Sequence, residues 1–184
     1  MQYYGGKELA AAFRTVRGNT LKIAEEIPEE KYGLRATPDT RTIGELLTHI
    51  ALGPTFALEV HEKRATDLRQ LNFPALMQRV GAEAAKPRTK ADIIALLKSE
   101  GDQFAAFVEG LSDDFLGEQV AMMPGDEVAS KSRFEMLLSP KEHEMHHRGQ
   151  LMLLQRMAGI VPHLTRERQA RMAQAQAGAQ GARA

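Results

Sequence analysis

The densest run of chemically capable side chains is Glu142-His143-Glu144-Met145-His146-His147-Arg148-Gly149-Gln150. On a helix each residue turns by ~100°, so His143 and His147 stand ~40° apart on one face, about one turn from each other. Two imidazoles so placed can reach one ion. His146 lies ~60° to the other side of His143 and ~100° from His147, which makes it a neighbour of the pair rather than a ligand. A catalytic metal usually keeps three protein ligands and one open position. The best third candidate is His49, on a stretch carrying Leu46, Leu47 and Ile50 and hence near a core. Alone, His49 would read as a hydrogen-bonded core histidine; the His143/His147 pair turns it into a ligand candidate. There is no cysteine, so any cation must be held by His, Asp or Glu. Three neutral imidazoles suit Zn²⁺ and, less selectively, Ni²⁺, Fe²⁺ or Mn²⁺.

The same run satisfies H-E-x-x-H, the helix motif of zinc proteases. In that reading His143 and His147 bind zinc, Glu144 is the general base, and Glu167 supplies a third ligand. A protease of this type lays its substrate along a sheet edge, and the sequence offers no sheet. Outside the protease reading, Glu144 or Glu45 can assist proton transfer, and Arg148 can contact an anionic substrate. Each of the three reads equally well as an ordinary surface or supporting residue. His61 reads as a surface residue and His163 as a structural residue in a loop. Met136, Met145, Met152 and Met157 read as core filling.

These residues need helices to hold them. Apolar residues recur at steps of three and four, and no segment alternates like a strand. A first helix spans Lys7 to Glu26, weakened by Gly18 and ended by Pro28. Residues 28–41 form a polar connector. Thr42 and Glu45 have capping-box spacing and open a second helix, which Pro54 kinks without ending on its way to about Arg64. Pro74 to Ala85 form a short extra helix. Thr89 and Asp92 cap a third main helix that stops near Leu111, and residues 112–131 read as loop. The last main helix runs to about Ala158, starting either near Ser132 or, after a short turn, at Ser139. Residues 173–184, rich in Ala, Gln, Arg and Gly, read as a frayed or disordered tail. The expectation is an all-α four-helix bundle over residues 1–163 and a C-terminal tail over 164–184.

Bulk composition narrows the function classes. The chain of 184 residues carries 24 basic and 24 acidic residues, so it has no basic excess to neutralise phosphates, and it has no Trp. Nucleic acid is not an expected partner. No apolar run approaches the ~20 residues that span a bilayer, and the N-terminal residues do not read as a signal peptide. A cytoplasmic location is the default expectation.

Three stretches together resemble the DinB-like (damage-inducible, YfiT-like) superfamily of metalloproteins. They are Ile27-Pro28-Glu29-Glu30-Lys31-Tyr32, Arg41-Thr42-Ile43-Gly44-Glu45-Leu46-Leu47-Thr48-His49-Ile50, and His143-Glu144-Met145-His146-His147-Arg148-Gly149-Gln150-Leu151. The likeness covers about residues 7–163. It implies a four-helix bundle, commonly a homodimer, with a three-histidine metal site on His49, His143 and His147. It also implies an enzyme that transfers a low-molecular-weight thiol, such as bacillithiol or mycothiol, to an electrophilic small molecule. A non-enzymatic metal-binding stress protein is the alternative, and hydrolysis by a metal-activated water is a variant of the first.

Overall fold

The computed structural model describes residues 4–181. Residues 1–3 and 182–184, the ends of the two expected segments, lie outside the described residues. The elements in chain order are α1 (Gly6–Glu26), α2 (Ile43–Leu52), α3 (Thr55–Glu62), α4 (Phe73–Ala84), α5 (Lys90–Glu109), α6 (Asp113–Gly117), β1 (Gln119–Ala121), β2 (Ser130–Ser132), α7 (Arg133–Met157) and α8 (His163–Gly181). The bundle is closed by α1 on α5 and α7, and by α2 on the same two helices. It is the all-α architecture expected.

Three capping boxes set where α2, α5 and α7 begin. Glu45 N–H donates to Thr42 Oγ1 and Thr42 N–H donates to the Glu45 carboxylate, at 3.2 and 2.7 Å, which starts α2 at Ile43. Thr89/Asp92 and Ser132/Glu135 do the same for α5 and α7. The Ser132 box settles the alternative starts of α7. The helix runs unbroken from Arg133 through Pro140, with no separate turn before Ser139. Pro54 acts more strongly than the kink expected. The helix stops at Leu52 and restarts at Thr55. Proline has no N–H to donate four residues back, so the Ile50 carbonyl is left for other donors. It accepts from Gly53 N–H at 3.2 Å and from Arg17 Nη2 at 3.3 Å.

Arg17 is the centre of the bundle. It is buried, and its Nε donates to both carboxylate oxygens of buried Glu144, at 3.1 and 3.0 Å. Its Nη1 donates to the Leu97 carbonyl at 2.6 Å. One guanidinium on α1 thereby ties α2, α5 and α7 together. The apolar core is divided at this level. One cluster holds Ile23, Leu47, Ile50, Leu97 and Leu151; a second holds Phe13, Leu58, Phe104 and Leu137, and a third, smaller one gathers Val60, Leu68, Val120 and Met136. Gly101 makes the room, since a methyl there would stand 2.9 Å from Arg17 Nη1 and 3.0 Å from its Cγ.

Three further expectations need correction. Residues 112–131 contain α6 and a small antiparallel hairpin, with Gln119 opposite Ser132, where a loop was expected. Its strands are only three residues long, too short to show alternation. The expected tail is helical to Gly181; Ala, Gln and Arg are good helix formers, and composition alone reads them as low complexity. The start of α8 is tied to α1 by Lys22–Glu167 at 2.7 Å and by Arg166–Glu26 at 2.5 Å. Met136 is buried, but Met145 and Met157 are exposed, so those two do not fill the core.

Breaking the buried pair leaves one charge stranded in a dry interior. Arg17→Met is expected to cost ~3–5 kcal/mol in urea unfolding, and a double variant with Glu144→Leu to recover much of that loss. Equal destabilisation of the single and double variants would contradict this account.

Candidate metal centre

His49 lies in the last turns of α2, which the Thr42 cap starts and Pro54 stops. His143 and His147 lie one turn apart on α7. The three Nε2 atoms form a nearly equilateral triangle, with His143–His49 at 3.0 Å, His49–His147 at 3.1 Å and His147–His143 at 3.2 Å. Four-coordinate bonds of ~2.0–2.1 Å to imidazole would separate adjacent nitrogens by ~3.3 Å, so the triangle is close to one face of a coordination tetrahedron. Among the described residues these three are the one group of potential ligands that converge closely enough to share an ion.

The protonation state suits a cation. Burial, then the charge of Arg41, then the other two rings push the His49 pKa down to about 4. Burial is also the leading cause of the lowered pKa of His143 and of His147. Near neutral pH the imidazoles therefore carry no charge. For His147 the tautomer follows from its neighbour. Nδ1–H donates to Gln150 Oε1 at 2.8 Å, which leaves the Nε2 lone pair facing the triangle. A metal-binding histidine usually has such an outer acceptor. Gln150 Nε2 also donates to His146 Nε2 at 3.4 Å, so His146 is a neighbour of the triangle, as its angle on the helix indicated.

Gly53 shapes the second ligand. A Cβ there would lie 2.9 Å from His143 Nδ1, so any side chain at this position would push the ring aside. Two clefts flank the triangle. One, of about 330 Å³, reaches His143 and is walled by Phe56, Met136, Pro140 and His61. The other, of about 560 Å³, reaches His147 and is lined by Arg41, Gln150 and Leu153.

The remaining candidates are placed differently. Both oxygens of Glu144 are taken by Arg17. The Glu167 carboxylate is exposed and paired with Lys22. Glu45 is exposed and spent on the Thr42 cap. Arg148 is half-buried and makes no hydrogen bond or ion pair among the described residues. His61 is buried, not on the surface as expected. Its Nδ1 accepts from Arg133 Nη1 at 3.2 Å, and burial with the Arg133 charge brings its pKa down to about 4. The break at Pro54 resets the helix phase, so counting from His49 misplaced it. His163 opens α8 rather than lying in a loop, and is buried with Nε2 at 3.1 Å from Asn19 Oδ1, which fits the structural part of its reading. Arg41, Gln150 and Gly53 were not singled out from the sequence. Nothing in their spacing points at histidines on another helix.

Comparison with known proteins agrees with this fold. The profile of the DinB superfamily matches residues 12–151. The uncharacterised protein YjoA of Bacillus subtilis is 22% identical over 155 residues, covering 83% of this chain and 90% of its own. The crystal structure of that DinB-like protein superposes with a TM-score of 0.61 at 20% identity, over 83% of this chain and 92% of its own. A DinB-like protein from Bacillus cereus superposes with a TM-score of 0.63 at 18% identity, over 84% and 93%. YfiT from Bacillus subtilis, described as a probable metal-dependent hydrolase with an unusual four-helix bundle topology, gives 0.63 at 13% identity, over 84% and 88%. At these identities the structural likenesses establish the fold.

Two measurements check the centre. Gln150→Leu removes the acceptor behind His147 and is expected to weaken metal binding by roughly 10–100-fold in a chelator competition, with the unfolding midpoint of the metal-free protein unchanged. The metal-free protein is also expected to lose stability as pH falls from ~6.5 toward ~4. The unfolded chain takes up protons on His49 and His61 in that window, while the folded chain, with both pKa values near 4, does not. The contribution is complete above ~6.5, and His61→Gln should flatten the slope of unfolding free energy against pH. A pH-independent midpoint across the window would refute the assignment.

Proposed function

This chain belongs to the DinB superfamily, and from that premise we propose that it is a metal-dependent enzyme that uses a low-molecular-weight thiol as nucleophile on an electrophilic small molecule. The observation that carries the reading is the triangle of three uncharged imidazole nitrogens with edges of 3.0–3.2 Å, open to a cleft on either side. His49, His143 and His147 would hold a divalent cation, Zn²⁺, Ni²⁺, Fe²⁺ or Mn²⁺. When bound, it would supply a Lewis acid that lowers the pKa of a coordinated thiol or water.

The chain's own residues favour the thiol. Glu144, the base that an H-E-x-x-H protease needs, is committed to Arg17. Glu167, its candidate third ligand, is committed to Lys22, and His49 occupies that corner instead. A thiol has a lower intrinsic pKa than water and reacts as its thiolate without a protein base. In the overall reaction the thiol proton passes to solvent, a sulfur–carbon bond forms, and the leaving group departs with its bonding electrons. Glu144 then acts in positioning α7. Arg148, unpaired on the same helix, is available to an anionic group of a substrate. Hydrolysis is the second reading, supported by the description of YfiT. A homodimer is part of the proposal, supported by the exposed apolar side chains of Met145, Leu153 and Met157 on α7.

The test uses protein purified without a histidine tag, analysed for metal content and assayed with a panel of thiols against chloroacetamide. His49→Ala and chelator treatment are each expected to lower the enzymatic rate by more than the roughly 10–100-fold typical of losing an outer partner, and returning the metal should restore it. Full activity in His49→Ala, or after complete metal removal, would refute the proposal. Ester cleavage without thiol would favour hydrolysis, and stoichiometric metal with no turnover a binding protein.

A further inference from the structure

The cleft on the His147 side carries a charged group that nothing so far employs. Arg41 stands just before the Thr42 cap, on a connector whose course is set by hydrogen bonds. Thr40 N–H donates to the Thr37 carbonyl at 3.1 Å, and Thr37 N–H donates to Thr40 Oγ1 at 3.1 Å. Ile43 N–H donates to the Leu34 carbonyl at 2.9 Å. The base of the side chain is thus held in place although the guanidinium is exposed. Its neighbour Arg35 is paired with Glu45 at 4.0 Å; the Arg41 charge also reaches Glu45, adding to the Thr42 hydrogen bonds that lower its pKa, but Arg41 makes no hydrogen bond, ion pair or ring contact among the described residues.

Arg41 lines the same cleft of about 560 Å³ as His147 and Gln150. Its charge is felt at all three imidazoles, where it adds to burial in lowering their pKa. One acidic residue, Asp39, also lines the cleft. Its carboxylate already accepts from Thr37 Oγ1 at 2.6 Å. A filled metal centre would leave this cleft with a divalent cation at one end, a free guanidinium beside it and a single carboxylate on the wall. Such a field selects anions.

We propose that the cleft between Arg41 and His147 is a binding subsite for a carboxylate-bearing reactant, with the Arg41 guanidinium pairing the carboxylate while the reactant's other end reaches the triangle of histidines. This rests on the functional reading above, and it adds the substrate class: an anionic thiol rather than a neutral one. A guanidinium presents parallel N–H donors that match a carboxylate in a bidentate pair. A volume of about 560 Å³ is in the range of small-molecule sites.

The experiment compares two thiols that differ only in charge, N-acetylcysteine and its amide. Each is titrated into the cobalt-loaded protein, and binding is followed by sulfur-to-cobalt charge-transfer absorbance. The carboxylate form is expected to half-saturate at about tenfold lower concentration than the amide, the usual worth of one charge-assisted pair. In Arg41→Met that advantage should vanish, with the amide titration shifting by less than the carboxylate one, and Arg41→Lys should restore part of it. A preference retained in Arg41→Met, or no preference in the unsubstituted protein, would overturn the proposal. If neither thiol perturbs the cobalt spectrum, the thiol reading fails on its own. The subsite is then decided by calorimetry with succinate on the same cobalt-loaded protein. Binding heat that disappears in Arg41→Met sustains the anion subsite, and absence of heat, or heat unchanged by the substitution, overturns it.

Discussion

A guanidinium and a carboxylate with almost no access to water sit at mid-height in the bundle, and neither could be buried there alone. The Arg17 Nε–H is shared between both oxygens of Glu144, and the other arms of Arg17 donate to the carbonyls of Leu97 and Ile50. Apolar contacts tolerate small slips, because one methyl can replace another as neighbour. A charged layer tolerates none without stranding a donor or an acceptor. Sliding α7 would take Glu144 off Arg17, and shifting α2 would take the Ile50 carbonyl away. His49 precedes Ile50, and His143 precedes Glu144. The interaction that locks the helices in height and rotation is therefore one residue away from two of the three imidazoles. Gly101 and Pro54 belong to the same device. One leaves space for the guanidinium, and the other frees the carbonyl that it meets.

The triangle of histidines lies beside this layer, and its electrostatics follow from that place. The imidazoles are buried enough to resist protonation, so protons compete weakly with a cation near neutral pH. Yet they border two clefts, so reactants can approach. The clefts differ in chemistry. Lys131, Glu135 and Glu142 stand on the wall of the one at His143, and Arg41 and Asp39 among leucines on the wall of the one at His147.

Much of this was legible in the sequence where local rules decide. Thr42/Glu45 and Thr89/Asp92 announce helix starts because the capping box is a contact within four residues. His143 and His147 announce a pair of ligands for one ion because helix geometry alone brings them together. His49 came from its company of leucines and from the family resemblance. What escaped depends on long-range contact. The pairing of Arg17 with Glu144 joins residues 127 apart in sequence, and no local pattern marks either as buried. His61 looked exposed because its angle was counted through Pro54, where the helix in fact stops. Pro140 left the start of α7 undecided, although the Ser132 box, anchored by Arg133 on Glu118 at 2.8 Å, carries the helix through it. The polar end of the chain looked like a tail because composition reports solubility better than it reports helicity.

The H-E-x-x-H string shows how far a motif reaches. Its spacing fixes the two histidines relative to each other, whatever the fold. It says nothing about the glutamate's partner. Position 144 lies ~100° from 143 and ~60° from 147 on the helix, so a free carboxylate there could turn toward an ion or toward the core. In this bundle Arg17 of α1 stands on the core side and engages both oxygens. Turning outward would give up those bonds and leave a buried cation unpaired, a loss of several kcal/mol. The same five letters thus describe a base in one setting and a structural brace in another. What separates the two is a residue on the first helix, together with a third histidine on the second.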